Sequence, residues 1–140
     1  MGCIAYRSGY KYQLVEDAIY QTTIYPFKEI ITEYICLSMS GLLWVKEGYA
    51  FDGPSGPTVD RKTNMRGSLF HDAGYQLMRE GYLDELIYRP QFDNLLHAIW
   101  IEDGMWSLVA DVEVAAVKRF AAEAAMVGTD KPIQYAPKKC

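Results

Sequence analysis

The sequence predicts an α+β fold: a small N-terminal antiparallel sheet followed by about three helices, two of them an antiparallel pair. Three observations lead there. The first part of the chain holds short runs rich in Tyr, Ile, Thr and Val, each closed by turn residues. A stretch dense in Gly and Pro follows. The remainder carries apolar residues at helical spacing, punctuated by Gly. Strands first and helices after describe a segregated architecture rather than an alternating one.

The elements follow in order. Residues 10–15, Tyr-Lys-Tyr-Gln-Leu-Val, form a first strand, and 18–25 a second that Pro26 ends. A third covers 29–37, with Ile30, Ile31, Tyr34, Ile35 and Cys36. Ser38, Met39, Ser40 and Gly41 read as a turn, so 29–37 and 42–46 pair as a hairpin. Three Gly and two Pro within 48–58 make an ordered loop at the junction of the two halves, where clefts form. Thr63 or Asn64 caps a helix that runs to about Glu80 and stops at Gly81. Pro90 suits the first turn of a second helix, through Phe92, Leu95, Leu96, Ile99 and Trp100. Gly104 interrupts it, and a third runs from about Trp106 to Met126, with Leu108, Val112, Ala115, Val117 and Phe120 at helical spacing. Residues 1–128 are expected to be one domain and 129–140, with two Pro and three Lys, an extended or mobile tail.

Composition narrows the function classes. At 140 residues, half of them apolar, the chain can build one core without covalent staples. A net charge of −4 argues against a general nucleic-acid binder, which needs a basic face. No apolar run reaches the length that spans a bilayer. The three cysteines, Cys3, Cys36 and Cys140, do not resemble a disulfide framework, and Cys36 is expected to be a buried apolar residue. Residues 1–7 lack the apolar core of a secretory signal, and Tyr6 stands where an acylation motif needs Ser or Thr. Reduced thiols fit the cytoplasm as the site of synthesis.

Chemistry centres on 69–75, Leu-Phe-His-Asp-Ala-Gly-Tyr. Tyr75 lies one turn beyond His71 on the same helix face. Asp93 sits on the next helix, and the short link between the helices makes them antiparallel neighbours, so Asp93 can approach His71. A histidine oriented by a carboxylate is a workable general base, because the acid fixes its tautomer and stabilises the imidazolium. His97, one turn beyond Asp93, is a core or surface histidine, or with Asp93 and His71 a metal ligand. The bland alternative is that His71 and Asp93 satisfy each other inside a core. Phe70-His71-Asp72 lacks the upstream histidine of metal phosphohydrolases of the HD type, and Gly53-Pro54-Ser55-Gly56 is neither a nucleophile elbow nor a phosphate loop. Asp52 is expected to bond its own backbone and cap the loop or the region of the following helix, a structural residue with Pro54 and Gly56 rather than a catalytic acid.

Residues 48–58 and 65–79, with Arg89-Pro90-Gln91-Phe92-Asp93, resemble the domain-of-unknown-function 1353 family of small proteins common in tailed bacteriophages. That resemblance implies a bacterial cytoplasm as the site of synthesis and a place in the phage virion, its assembly or its contact with host proteins. The His-Asp-x-x-Tyr helix followed by a helix bearing Asp is also similar to the core of phospholipase A2 enzymes. This second resemblance implies His71 as the base for a water, Asp93 as its partner and Tyr75 as part of the network. It also implies Ca²⁺ as cofactor, held by Asp72 with the loop at Gly53 and Ser55, and a lipid or other small-molecule ester as substrate. The competing expectation is a non-catalytic virion, assembly or ligand-binding protein.

Overall fold

A computed structural model describes residues 4–6, 11–53, 61–121, 125–126 and 134–136. The sheet-then-helices order is as expected. Four strands form an antiparallel sheet in the order β3-β6-β5-β4: β3 (Ala18–Gln21), β4 (Ile30–Ile31), β5 (Ile35–Leu37) and β6 (Leu42–Val45). β2 (Tyr12–Gln13) pairs with β7 (Ala50–Phe51), and β1 (Ile4–Tyr6) with β8 (Gln134–Ala136). Between β7 and β8 the described residues hold three α-helices: α1 (Lys62–Arg79), α2 (Glu85–Glu102) and α3 (Ser107–Ala121).

Local polar chemistry moves several boundaries away from the sequence expectation. The strand expected over 18–25 stops at Gln21, because the Thr22 hydroxyl donates to the Gly41 carbonyl at 2.7 Å and accepts from the Ile24 amide. The single strand expected over 29–37 is two. The Thr32 hydroxyl donates to the Ile35 carbonyl and accepts from its amide, closing a tight turn inside an apolar run. The β5–β6 hairpin forms as read, with the Ser38 hydroxyl accepting from the Leu42 amide and Gly41 at φ +90°. A Cβ on Gly41 would stand 2.6 Å from the Thr22 carbonyl. The junction loop contributes a strand, β7, while 54–60 lie outside the described residues.

The N-cap position of α1 is Arg61 rather than Thr63 or Asn64. Asn64 is its third residue and reaches back to accept from the Arg61 amide. α2 starts five residues before Pro90, where Asp84 accepts from the Leu86 amide, so Pro90 lies inside the helix and not in its first turn. α3 is shorter than expected. Of the five apolar positions named for it only Val117 is buried, with Ala110, Val114 and Ala121; Leu108, Val112, Ala115 and Phe120 are exposed.

The core lies between the inner face of the sheet (Ile35, Leu37, Leu43, Val45) and the helices, through Phe70, Ala73, Leu77, Phe92, Leu96 and Trp100. Cys36 is half-buried, not buried. α1 and α2 run antiparallel at close range. Gly74 lies against the Phe92 ring, and a Cβ on Gly67 would meet the Trp100 ring at 2.6 Å. The Trp100 indole donates to the Asn64 carbonyl at 2.9 Å. Arg66 locks β3, α1 and the end of α2 together: it grips the Asp103 carboxylate through two nitrogens, reaches Glu102 at 2.7 Å and lies over the Tyr20 ring, whose hydroxyl also donates to Glu102.

Candidate functional site

Close packing of α1 on α2 places His71 and Tyr75, one turn apart on α1, against Asp93 on α2. His71 Nε2 is 2.7 Å from Asp93 Oδ1, and the Tyr75 hydroxyl donates to the same oxygen at 2.6 Å. The two rings lie 4.1 Å apart between centroids. Gly74 matters to this approach, since no side chain stands between α1 and Phe92, the residue before Asp93. Sequence reasoning brings these three residues together, and the structure does the same.

The site is almost dry. His71 is 2 % and Asp93 4 % exposed. Burial pushes the Asp93 carboxyl up, but the hydrogen bonds from His71 and Tyr75 and the fields of His71 and Lys118 outweigh it, holding Asp93 below the usual carboxylate range. Burial, then the bond to Asp93 and that carboxylate's charge, push the Tyr75 phenol well above its usual value, so it stays a donor. With Asp93 ionised, His71 donates through Nε2, and in the neutral imidazole the lone pair is left on Nδ1. The arrangement can orient an imidazole and stabilise it when it takes a proton.

The remaining expected site residues are placed as follows. Asp72 is half-buried beside His71 on α1. Gly53 is buried at φ +86°, and Asp52 accepts from the Lys11 amide, 41 residues earlier, at 3.2 Å. Pro54, Ser55 and Gly56 lie outside the described residues. His97 does not join His71: its Nε2 meets Asp111 of α3 at 2.7 Å, and among the described residues no three His, Cys, Asp or Glu side chains converge as a metal cage. Two cations near the cluster were given no role in the sequence reading, where Arg89 stood only as part of the motif 89–93 and Lys118 was not named. The charge of Arg89 acts on the Tyr75 phenol and that of Lys118 on Asp93. Arg89 is four residues before Asp93, which puts both on one face of α2 and is the signal that identifies it. Among the described residues no helix is long and apolar enough to cross a membrane. No protein-family model, curated protein or solved structure matches this chain.

Proposed function

We propose that this protein hydrolyses carboxylic esters of the phospholipid class, with His71 as general base. In this reading His71 Nδ1 takes a proton from a water. The resulting hydroxide attacks the ester carbonyl carbon, the tetrahedral oxyanion collapses, and the proton passes to the departing alkoxide. Asp93 orients the ring and stabilises the imidazolium, and Tyr75 fixes Asp93. The observation that carries the reading is that Asp93 Oδ1 accepts from both His71 Nε2 and the Tyr75 hydroxyl. Such a network leaves one imidazole nitrogen basic and holds its counter-charge in place. The positive fields of Arg89 and Lys118 suit an anionic phosphoester head group nearby.

Asp72 and the carbonyls of the loop at Gly53 and Ser55 are hard oxygen donors, a set that suits Ca²⁺ rather than a softer metal. When bound there, Ca²⁺ would supply charge neutralisation at the developing oxyanion. In this reading the protein works in an infected bacterial cytoplasm or in a virion, as the phage resemblance implies.

A second reading is favoured by the burial of both partners: His71 and Asp93 form a satisfied polar pair that sets the α1–α2 packing of a non-catalytic virion, assembly or host-binding protein. One experiment separates the two. Fatty-acid release from mixed-phospholipid vesicles is followed for wild type and His71→Gln, with Ca²⁺ and with chelator, alongside melting curves. The hydrolase reading expects release by wild type that falls with chelator and vanishes in the variant. Wild-type protein inert on every head group tested leaves the structural reading.

A further inference from the structure

α3 has two faces. Ala110, Val114, Val117 and Ala121 are buried against the rest of the domain. On the opposite side Leu108, Val112, Ala115 and Arg119 follow one another at alternating steps of four and three residues, and all four are exposed. Leu108 is 76 % and Val112 64 % exposed. Val109, also exposed, lies on one flank of the stripe. Among the described residues nothing covers this face. Alternating four- and three-residue steps are the seam of a helix that pairs with another helix.

We propose that this face is a homodimer interface, at which α3 of a second copy of this chain docks antiparallel across a two-fold axis. The charges flanking the seam select that occupant and that orientation. Asp111 and Lys118 are both exposed and lie one heptad apart, so they stand on the same flank of the stripe with opposite signs. In an antiparallel pair, equivalent flank positions of the two helices face each other. Setting Val112 against Ala115 of the partner brings each Asp111 opposite Lys118 of the partner, twice by symmetry. The same register sets Leu108 against the aliphatic stem of the partner's Arg119, and the small side chain of Ala115 lets the helices approach at the centre. Asp111 keeps 61 % side-chain exposure while bonded to His97, so it remains open to the partner.

Sedimentation velocity on the full chain tests this, with circular dichroism confirming that each variant folds. Wild type is expected to dimerise at micromolar concentration, and Val112→Asp to weaken the dimer by more than about tenfold, since it buries a charge in the seam. Asp111→Lys alone and Lys118→Asp alone are each expected to be monomeric, because each sets like charges face to face. Mixed together they should form a heterodimer, as every facing pair is then opposite in sign. A wild type that stays monomeric, including one that instead binds lipid vesicles through this face, overturns the proposal. So does a wild-type dimer indifferent to the three substitutions, or one whose two charge variants do not recover on mixing.

Discussion

Asp93 keeps its charge in a nearly dry site because two donors converge on one of its oxygens. That has a consequence for stability against pH. A carboxyl whose pKa is lower folded than unfolded contributes stability that is complete above its unfolded value, about 3.9, and is lost as pH falls through the folded one. Unfolding free energies of wild type and Asp93→Asn from urea titrations should therefore differ most near neutral pH, by about 1–3 kcal/mol, and converge in acid as Asp93 takes up its proton. A gap that widens below pH 4 would show that Asp93 is not the paired anion. The three residues of this cluster were legible in the sequence because their geometry is short-range: one helical turn joins His71 to Tyr75, and a short link folds α2 back onto α1. Arg66 was not legible, since its partners Tyr20, Glu102 and Asp103 come from distant parts of the chain and no local spacing announces them.

Secondary-structure elements depart from expectation where a single polar side chain overrules an apolar run. Thr32 splits one predicted strand into a hairpin, and Asn64 caps α1 from inside the helix rather than from its edge. Asp84 starts α2 a turn earlier than Pro90 suggested. Existence and type of each element follow from periodicity, but such boundaries depend on which neighbour a hydroxyl or carboxylate finds. On α3 the spacing of apolar residues was visible while the identity of the packed face was not, because apolar residues occupy both sides. Two substitutions test the helix pair. Gly74→Ala drives a methyl into the Phe92 ring and should cost about 1–3 kcal/mol or more, lowering Tm and loosening the His71–Asp93 contact. An unchanged Tm would mean that α1 and α2 are not held at this distance. Pro90 is exposed and leaves the Leu86 carbonyl without its helical amide. Pro90→Ala should restore that bond and raise stability, up to the roughly 3 kcal/mol that an interior proline costs; a lower Tm would contradict the placement of Pro90 within α2.

At the scale of the molecule, the four-stranded sheet and α1–α2 share one core, and the β1–β8 ribbon joins the two ends of the chain. A two-stranded ribbon is marginal by itself. Deleting 131–140, which removes β8, should shift Tm by no more than a few degrees, and a collapse of the fold would show that the ribbon anchors the core. Arg66, tying β3 to both helices, and the close α1–α2 contact make the His71 cluster part of a rigid frame rather than of a loop, as a preoriented base requires. In the proposed reaction His71 and Asp93 act on substrate as one unit. The direct measurement is the rate of fatty-acid release from phospholipid vesicles by wild type, His71→Ala, Asp93→Ala and the double variant, each confirmed folded. Groups that act together are strongly non-additive, so the double variant should be within about twofold of His71→Ala alone. Independent, multiplying losses would contradict the account, as would a wild type without activity whose variants lose only about 1–3 kcal/mol of stability.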